Sequence, residues 1–153
     1  MTSDIIEKTT TLPRAVITDL DGTLAIIGER NATTEQKRLM EDALNRNLAA
    51  VLTMYYKHGY KILVSTGRWE EYKILTQQWL KANDIHVDEI FMRPVSNYDS
   101  GRRLKEWYLE NIIMSRFDIH LAFEDVYACA KMYRSHDIPC WLVNDEPYLS
   151  NDL

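Results

Sequence analysis

Cysteine is scarce in this sequence of 153 residues, with only Cys129 and Cys140 present and ten residues between them. No paired-Cys or Cys/His spacing lies nearby. That excludes a disulfide framework or a zinc site and reads as free thiols in a reducing cytosol. Glycine and proline number five and four, and no Pro/Gly/Ser-rich linker or internal repeat divides the chain. No apolar run approaches the roughly 18 residues a spanning helix needs. Met1 to Pro13 is polar and acidic early, unlike a signal peptide, so the expected location is cytoplasmic, with no membrane partner. Positive charge is also in deficit, the net charge being -5 and the pI about 5.4. That excludes a broad basic field holding duplex nucleic acid by counterion release, but not a nucleotide or a strand terminus as a substrate. What is present, 46% hydrophobic and 27% charged residues, suits one soluble globular domain with a real core.

Short β-branched or apolar runs alternate with longer amphipathic stretches. Strands are expected at Ala15 to Thr18, Lys61 to Ser65, Glu89 to Met92, His120 to Phe123 and Cys140 to Val143. Between the first two, Thr33-x-x-Gln36 has the form of a capping box. Leu39, Met40, Ala43, Leu44, Leu48, Val51, Leu52 and Tyr55 then recur at helical spacing, and Gly59 is a natural stop. Further helices are expected over Glu70 to Lys81, around Leu104, Trp107, Tyr108 and Ile112, and from Val126 to His136. This alternation predicts an α/β fold with a mostly parallel five-stranded sheet and helices on both faces. Such sheets bind ligands at the carboxyl ends of their strands. The domain is expected over 14–144, with an N-terminal arm over 1–13 and an acidic tail over 145–153. Only Leu24 to Ala32 is left as a flap before the long helix, so no cap domain fits and the site should be open.

Four polar groups fall just past these strand ends or close to them. Asp19-Leu20-Asp21-Gly22-Thr23 follows the first strand. Two carboxylates two residues apart, with a sharp turn at Gly22, can converge on a hard cation, and an ionised Asp beside such a cation can attack phosphorus. The same residues also suit an Asx-rich turn. Ser65-Thr66-Gly67-Arg68 follows the second strand and offers a hydroxyl, a close backbone approach and a guanidinium for phosphate, or simply a helix cap and turn. Lys105 lies one turn into the third helix, where a lone lysine is commonly solvated. Glu124-Asp125 ends the fourth strand, as metal ligands or as a cap for the next helix.

Taken together and in this order, the motifs resemble the haloacid dehalogenase (HAD) phosphatase superfamily, over Arg14 to Val143. The resemblance implies a three-layer Rossmann-like HAD fold without a large cap domain and a Mg2+-dependent phosphatase. Asp19 would be the nucleophile and Asp21 the general acid/base. Thr66 and Lys105 would hold the phosphoryl group, and Asp19, Asp21, Asp125 and Glu124 would surround the metal. Glu124 departs from the two aspartates of close relatives.

A finer resemblance is to the 3′-phosphatase domain of bacteriophage polynucleotide kinase/phosphatases. It rests on the Ser-Thr-Gly-Arg run, the Lys105 to Phe117-Asp118 spacing, Glu124-Asp125, and Ile138-Pro139-Cys140-Trp141 after Met132-Tyr133-Arg134. It implies a nucleotide or polynucleotide 3′-phosphate as substrate. Gly67 and Arg68 are the residues expected to bind its phosphate, and Arg102 and Arg103, flanking the expected mouth, either meet a nucleotide's remaining phosphates or form a solvated basic face. Arg93 also flanks the expected mouth, and Ile26 and Ile27 in the flap either meet a base or anchor the loop. No Gly-x-x-x-x-Gly-Lys-Ser/Thr occurs, so a freestanding phosphatase module without a kinase half is expected. A phosphatase of 5′-nucleotides or small metabolites, and a non-catalytic binding protein, are the alternatives; oligomerisation is not readable.

Overall fold

The structure, a computed structural model of the chain, describes residues 11–143. The tail expected over 145–153 and most of the arm expected over 1–13 lie outside the described residues. In chain order the elements are β1 (Arg14–Thr18), β2 (Ala25–Ile26), β3 (Ala43–Leu44), α1 (Arg46–Lys57), β4 (Lys61–Trp69), α2 (Lys73–Ala82), β5 (Glu89–Arg93), α3 (Gly101–Tyr108), β6 (Asp118–Glu124), α4 (Tyr127–Ser135) and β7 (Cys140–Leu142). Five of the strands form one sheet in the order β5-β4-β1-β6-β7, and every pairing in it is parallel. β2 and β3 pair antiparallel as a small separate ribbon.

Alternation along β1 divides the core between the two faces of the sheet. Val16 joins Ile62, Val64, Leu121 and Phe123 beneath Leu48 and Leu52 of α1 and Trp79 and Leu80 of α2. Ala15 and Ile17 face the opposite way, packing with Leu63, Phe91 and Ala122 against Ala130, Met132 and Tyr133 of α4 and against Leu109 and Ile113 after α3. The result is three layers, as parallel sheets require when both faces are apolar. The chain leaves β1 toward β4 on one side and later returns to β6 on the other. A crevice therefore opens at the carboxyl end of β1, where the strand order switches.

The first crossover differs from the single helix expected of it. Gln36–Glu41 is a 3-10 helix, Asp42 is extended (φ -67°, ψ 138°), and the α-helix starts only at Arg46, with the Asn45 side chain accepting from Leu48 N. Periodicity misled because apolar residues continued at helical spacing across a break made by polar contacts. Asp42 binds two arginines, and its carbonyl accepts from Trp79 Nε1 at 3.0 Å. Gln36 does not complete the expected capping box; its Oε1 accepts from Trp69 N at 3.0 Å. Asn31 and Glu35 organise that turn instead, Asn31 Oδ1 accepting from the Thr33 and Thr34 amides. β4 runs four residues past the expected end at Ser65. α3 ends at Tyr108 and widens into a π turn, Leu109–Ile113, which places Leu109 and Ile113 in the core while Trp107 stays half exposed. Gly59, at φ +87° after α1, is the helix stop expected of it.

Candidate active site

The chain turns sharply after β1. Gly22 has φ +80°, its amide donates to Ala25 O, and the Thr23 and Ala25 amides both donate to Leu20 O. A Cβ at Gly22 would overlap the Asp125 carboxylate, so glycine is needed here both for its φ and for its lack of a side chain. This loop meets the end of β6 directly, Asp19 N donating to Phe123 O at 3.1 Å.

Asp19, Glu124 and Asp125 thereby present carboxylate oxygens within 4.8 Å of one another. Thr23 Oγ1 lies between two of them, 3.3 Å from Asp19 Oδ2 and 3.2 Å from Asp125 Oδ1. Lys105 Nζ reaches Asp19 Oδ1 at 3.1 Å and Glu124 Oε1 at 2.5 Å. The lysine is 4% exposed and so is not the solvated surface residue that a lone helical lysine suggests. Burial pushes the pKa of its ammonium down, but Asp19 and Glu124 more than offset that and hold it well above the ordinary value. Burial, reinforced by Asp19, pushes Glu124 up to about 8 and Asp125 up to about 7. Three acids thus face one lysine, and Glu124 Oε2 is buried without a hydrogen-bond partner among the described residues. Excess negative charge on hard oxygen ligands, one of them unsatisfied, fits a divalent cation such as Mg2+.

The Asp21 side chain, expected among the metal ligands, stands apart from the carboxylates of that cluster. Its carboxylate is taken by two arginines. Oδ1 accepts from Arg30 Nη2 at 2.7 Å, Arg68 Nη2 at 2.7 Å and Arg68 Nε at 3.1 Å, whereas Oδ2 accepts only from Arg68 Nε, at 3.1 Å. Beneath them Asp42 binds Arg30 Nε at 2.7 Å and Arg68 Nη2 at 3.3 Å. Donating a hydrogen bond to the Asp42 carboxylate, Arg30 has its pKa held above the ordinary value. Arg68 is 1% exposed and also donates to Thr76 Oγ1. Its guanidinium has no free fork for a phosphate, so it supports Asp21 rather than binding substrate as expected. Sequence reasoning missed Arg30 and Asp42, whose charged partners lie nine to 26 residues away with no local signal. It named Thr23 without a role, although its place in the Asp-x-Asp-Gly-Thr turn was the available clue.

Asp19, Asp21, Thr66, Gly67, Lys105 and Asp125 line one cavity of about 610 Å³. Thr66 Oγ1 accepts from Arg68 N at 3.2 Å, which leaves its hydroxyl proton for a ligand. Gly67 has only ordinary contact at the position of a missing Cβ, so nothing among the described residues requires glycine there. Arg102 reaches the mouth and pairs with Glu106 at 3.2 Å, whereas Arg103 is exposed and does not line the cavity. Ile26 and Ile27 do not line it either. Cys129 lies at its edge, and burial pushes the thiol up to about 12, which keeps it inert. Both cysteines are free and buried.

This sheet order, with an acid-bearing turn after the central strand and an acidic pair at the end of its neighbour, is the architecture of HAD-type phosphatases. A HAD-like phosphatase of Mesorhizobium loti shares the fold, with a TM-score of 0.64 over 93% of this chain and 78% of that one, at 13% identity. The chain belongs to the family of the polynucleotide kinase PNKP phosphatase domain, whose model matches residues 13–148. Two solved chains from the Pnkp1/Rnl/Hen1 complex, one described as an RNA repair complex, are 32% identical, each with a TM-score of 0.83. The match covers 91% of this chain and 45% and 48% of theirs. A protein of Autographa californica nuclear polyhedrosis virus described as a bifunctional polynucleotide kinase/RNA ligase is 28% identical over 129 residues, 83% of this chain and 19% of its own length. The chain thus spans less than half of these relatives. Family membership makes it a phosphatase domain and sets aside the non-catalytic binding protein. Among the described residues no helix is long and apolar enough to cross a membrane.

Proposed function

We propose that the protein removes the phosphate from 3′-phosphorylated nucleic-acid ends through an aspartyl-phosphate on Asp19. The observation that carries this reading is the position of Asp19. It is 6% exposed at the cavity wall, 3.1 Å from Lys105 and within the three-acid cluster. Asp19, Asp125 and Glu124 would hold Mg2+, which screens the phosphate oxygens from the carboxylate that attacks them.

Thr66 and Lys105 bind phosphoryl oxygens and orient the ester in line with Asp19. An Asp19 oxygen bonds to phosphorus as the ester P–O bond breaks, and Asp21 gives its proton to the leaving 3′ oxygen. Water then attacks the phosphorus, its proton passes to Asp21, and cleavage of the bond to Asp19 restores the free carboxylate. Three of the four arginine bonds to Asp21 fall on Oδ1, so Oδ2 is the oxygen suited to carry the proton. Arg30 and Arg68 keep it aimed.

The test is phosphate release in Mg2+ from 3′-phosphorylated oligonucleotides, 3′- and 5′-nucleotides and sugar phosphates. Fastest release from the oligonucleotides is expected, with Asp19→Asn inactive and EDTA silencing the wild type. A preference for 5′-nucleotides or sugar phosphates would favour the small-metabolite reading. Turnover by Asp19→Asn without metal would remove Asp19 from its role.

A further inference from the structure

Tyr98 is 84% exposed, a large ring held in water at the edge of the catalytic cavity. Beside it, Trp69 lines the same cavity, their ring centroids 5.8 Å apart at 70°. Two large aromatics edge-on at the rim of a polar site form adjoining walls instead of a closed stack, and neither contributes to the apolar clusters of the core.

The pair is built into the scaffold. Trp69 is the last residue of β4, opposite Arg93 in register, and its amide donates to Gln36 Oε1. The Arg93 guanidinium lies 5.5 Å from the Trp69 ring centre. It also ties down the loop that carries Tyr98, donating to Gly67 O at 3.0 Å, Asn97 Oδ1 at 3.0 Å, Asn97 O at 3.2 Å and Asp99 O at 2.7 Å. Val95 N is bound to Glu70 Oε1 in the same loop. Nε and Nη1 of Arg93 are thereby engaged in positioning the loop beside Trp69, while the residue also lines the cavity.

Resting on the phosphatase reading above, we propose that Trp69 and Tyr98 form a stacking platform for the terminal base of the substrate strand, which selects an unpaired 3′ end. Trp69 follows Thr66 by three residues along β4, where the pairing with β5 shifts register. They therefore lie at most about 10 Å apart along the strand, within the scale of one nucleoside between its phosphate and the far edge of its base. The cavity volume of about 610 Å³ falls within the roughly 300–1,000 Å³ of sites for small ligands and exceeds what a phosphate alone would occupy. A net charge of -5 gives no long-range grip on a strand, so a sequence-tolerant hold must come from contact, and base–aromatic stacking supplies one. A base inside a duplex would first have to leave its pair and stack, at a cost the platform does not remove.

The experiment measures kcat/KM in Mg2+ on a single-stranded 3′-phosphorylated tetranucleotide, on the same strand with an abasic terminal sugar, and on a blunt duplex with the same end. Wild type is expected to prefer the complete single strand to both others. Trp69→Ala and Tyr98→Ala should lower the ratio of intact to abasic rates by roughly five- to hundredfold, and Trp69→Phe and Tyr98→Phe should restore it. A wild type that cleaves abasic and intact ends alike overturns the platform alone. So do alanine variants that slow both probes in the same proportion. A wild type that releases phosphate from no 3′ end overturns the phosphatase reading and the platform with it.

Discussion

Asp42 stabilises two buried guanidinium groups that also hold Asp21, and none of the three appears in a recognisable local motif with the others. Asp42→Ala leaves the buried Arg30 and Arg68 short of negative charge. A loss of about 3–5 kcal/mol is expected for breaking such a buried network, read as a lower urea midpoint together with slower phosphate release. Gly22 is constrained from the opposite direction, by the absence of room. Gly22→Ala must relieve a φ of +80° and displace the Asp125 carboxylate. Misplacing a reacting group by such a contact costs up to about 100-fold, visible in kcat/KM with 3′-phosphorylated oligonucleotides. Arg68 shows the limit of reading by residue. Its chemistry as a bidentate cation was legible after β4, but its partner was not, because a guanidinium satisfies a carboxylate and a phosphate equally well.

At the scale of elements, two tryptophans separate what periodicity can and cannot decide. Trp79 and Trp107 both sit at helical spacing with apolar neighbours. Trp79 is 1% exposed, under the sheet, with Nε1 donating to Asp42 O, whereas Trp107 is 53% exposed on α3. Trp79→Ala is expected to cost about 3–5 kcal/mol and Trp107→Ala within about 0.5 kcal/mol, compared by chemical denaturation of both variants. The strands were legible because short β-branched runs bounded by polar residues have one main use in an alternating pattern. The crossover between β1 and β4 was not, because Asp42 ends the 3-10 helix through contacts with Arg30, Arg68 and Trp79 that no window of the sequence contains.

For the whole molecule, charge at the crevice sets stability against function. Asp19, Glu124 and Asp125 repel one another within 4.8 Å, and a cation that binds only the folded state stabilises it by mass action. Mg2+ should therefore raise the melting temperature of the wild type. Asp125→Asn keeps an oxygen for the Thr23 hydroxyl while removing one charge. The expected result is a higher metal-free melting temperature, a lost response to Mg2+ and lost turnover; an unchanged Mg2+ response would take Asp125 out of the metal site.

The sequence by itself determined the alternation of strands and helices, the layered parallel sheet and the strand ends where the reactive groups fall, because these follow from local periodicity and turn chemistry. Only the tertiary structure decided which groups meet. It placed Lys105 between Asp19 and Glu124, assigned Asp21 to two arginines instead of the three-acid cluster, and set Trp69 beside Tyr98 at the cavity rim. Those pairings depend on sheet order and on side chains packed across the switch point, distances that separation along the chain does not encode.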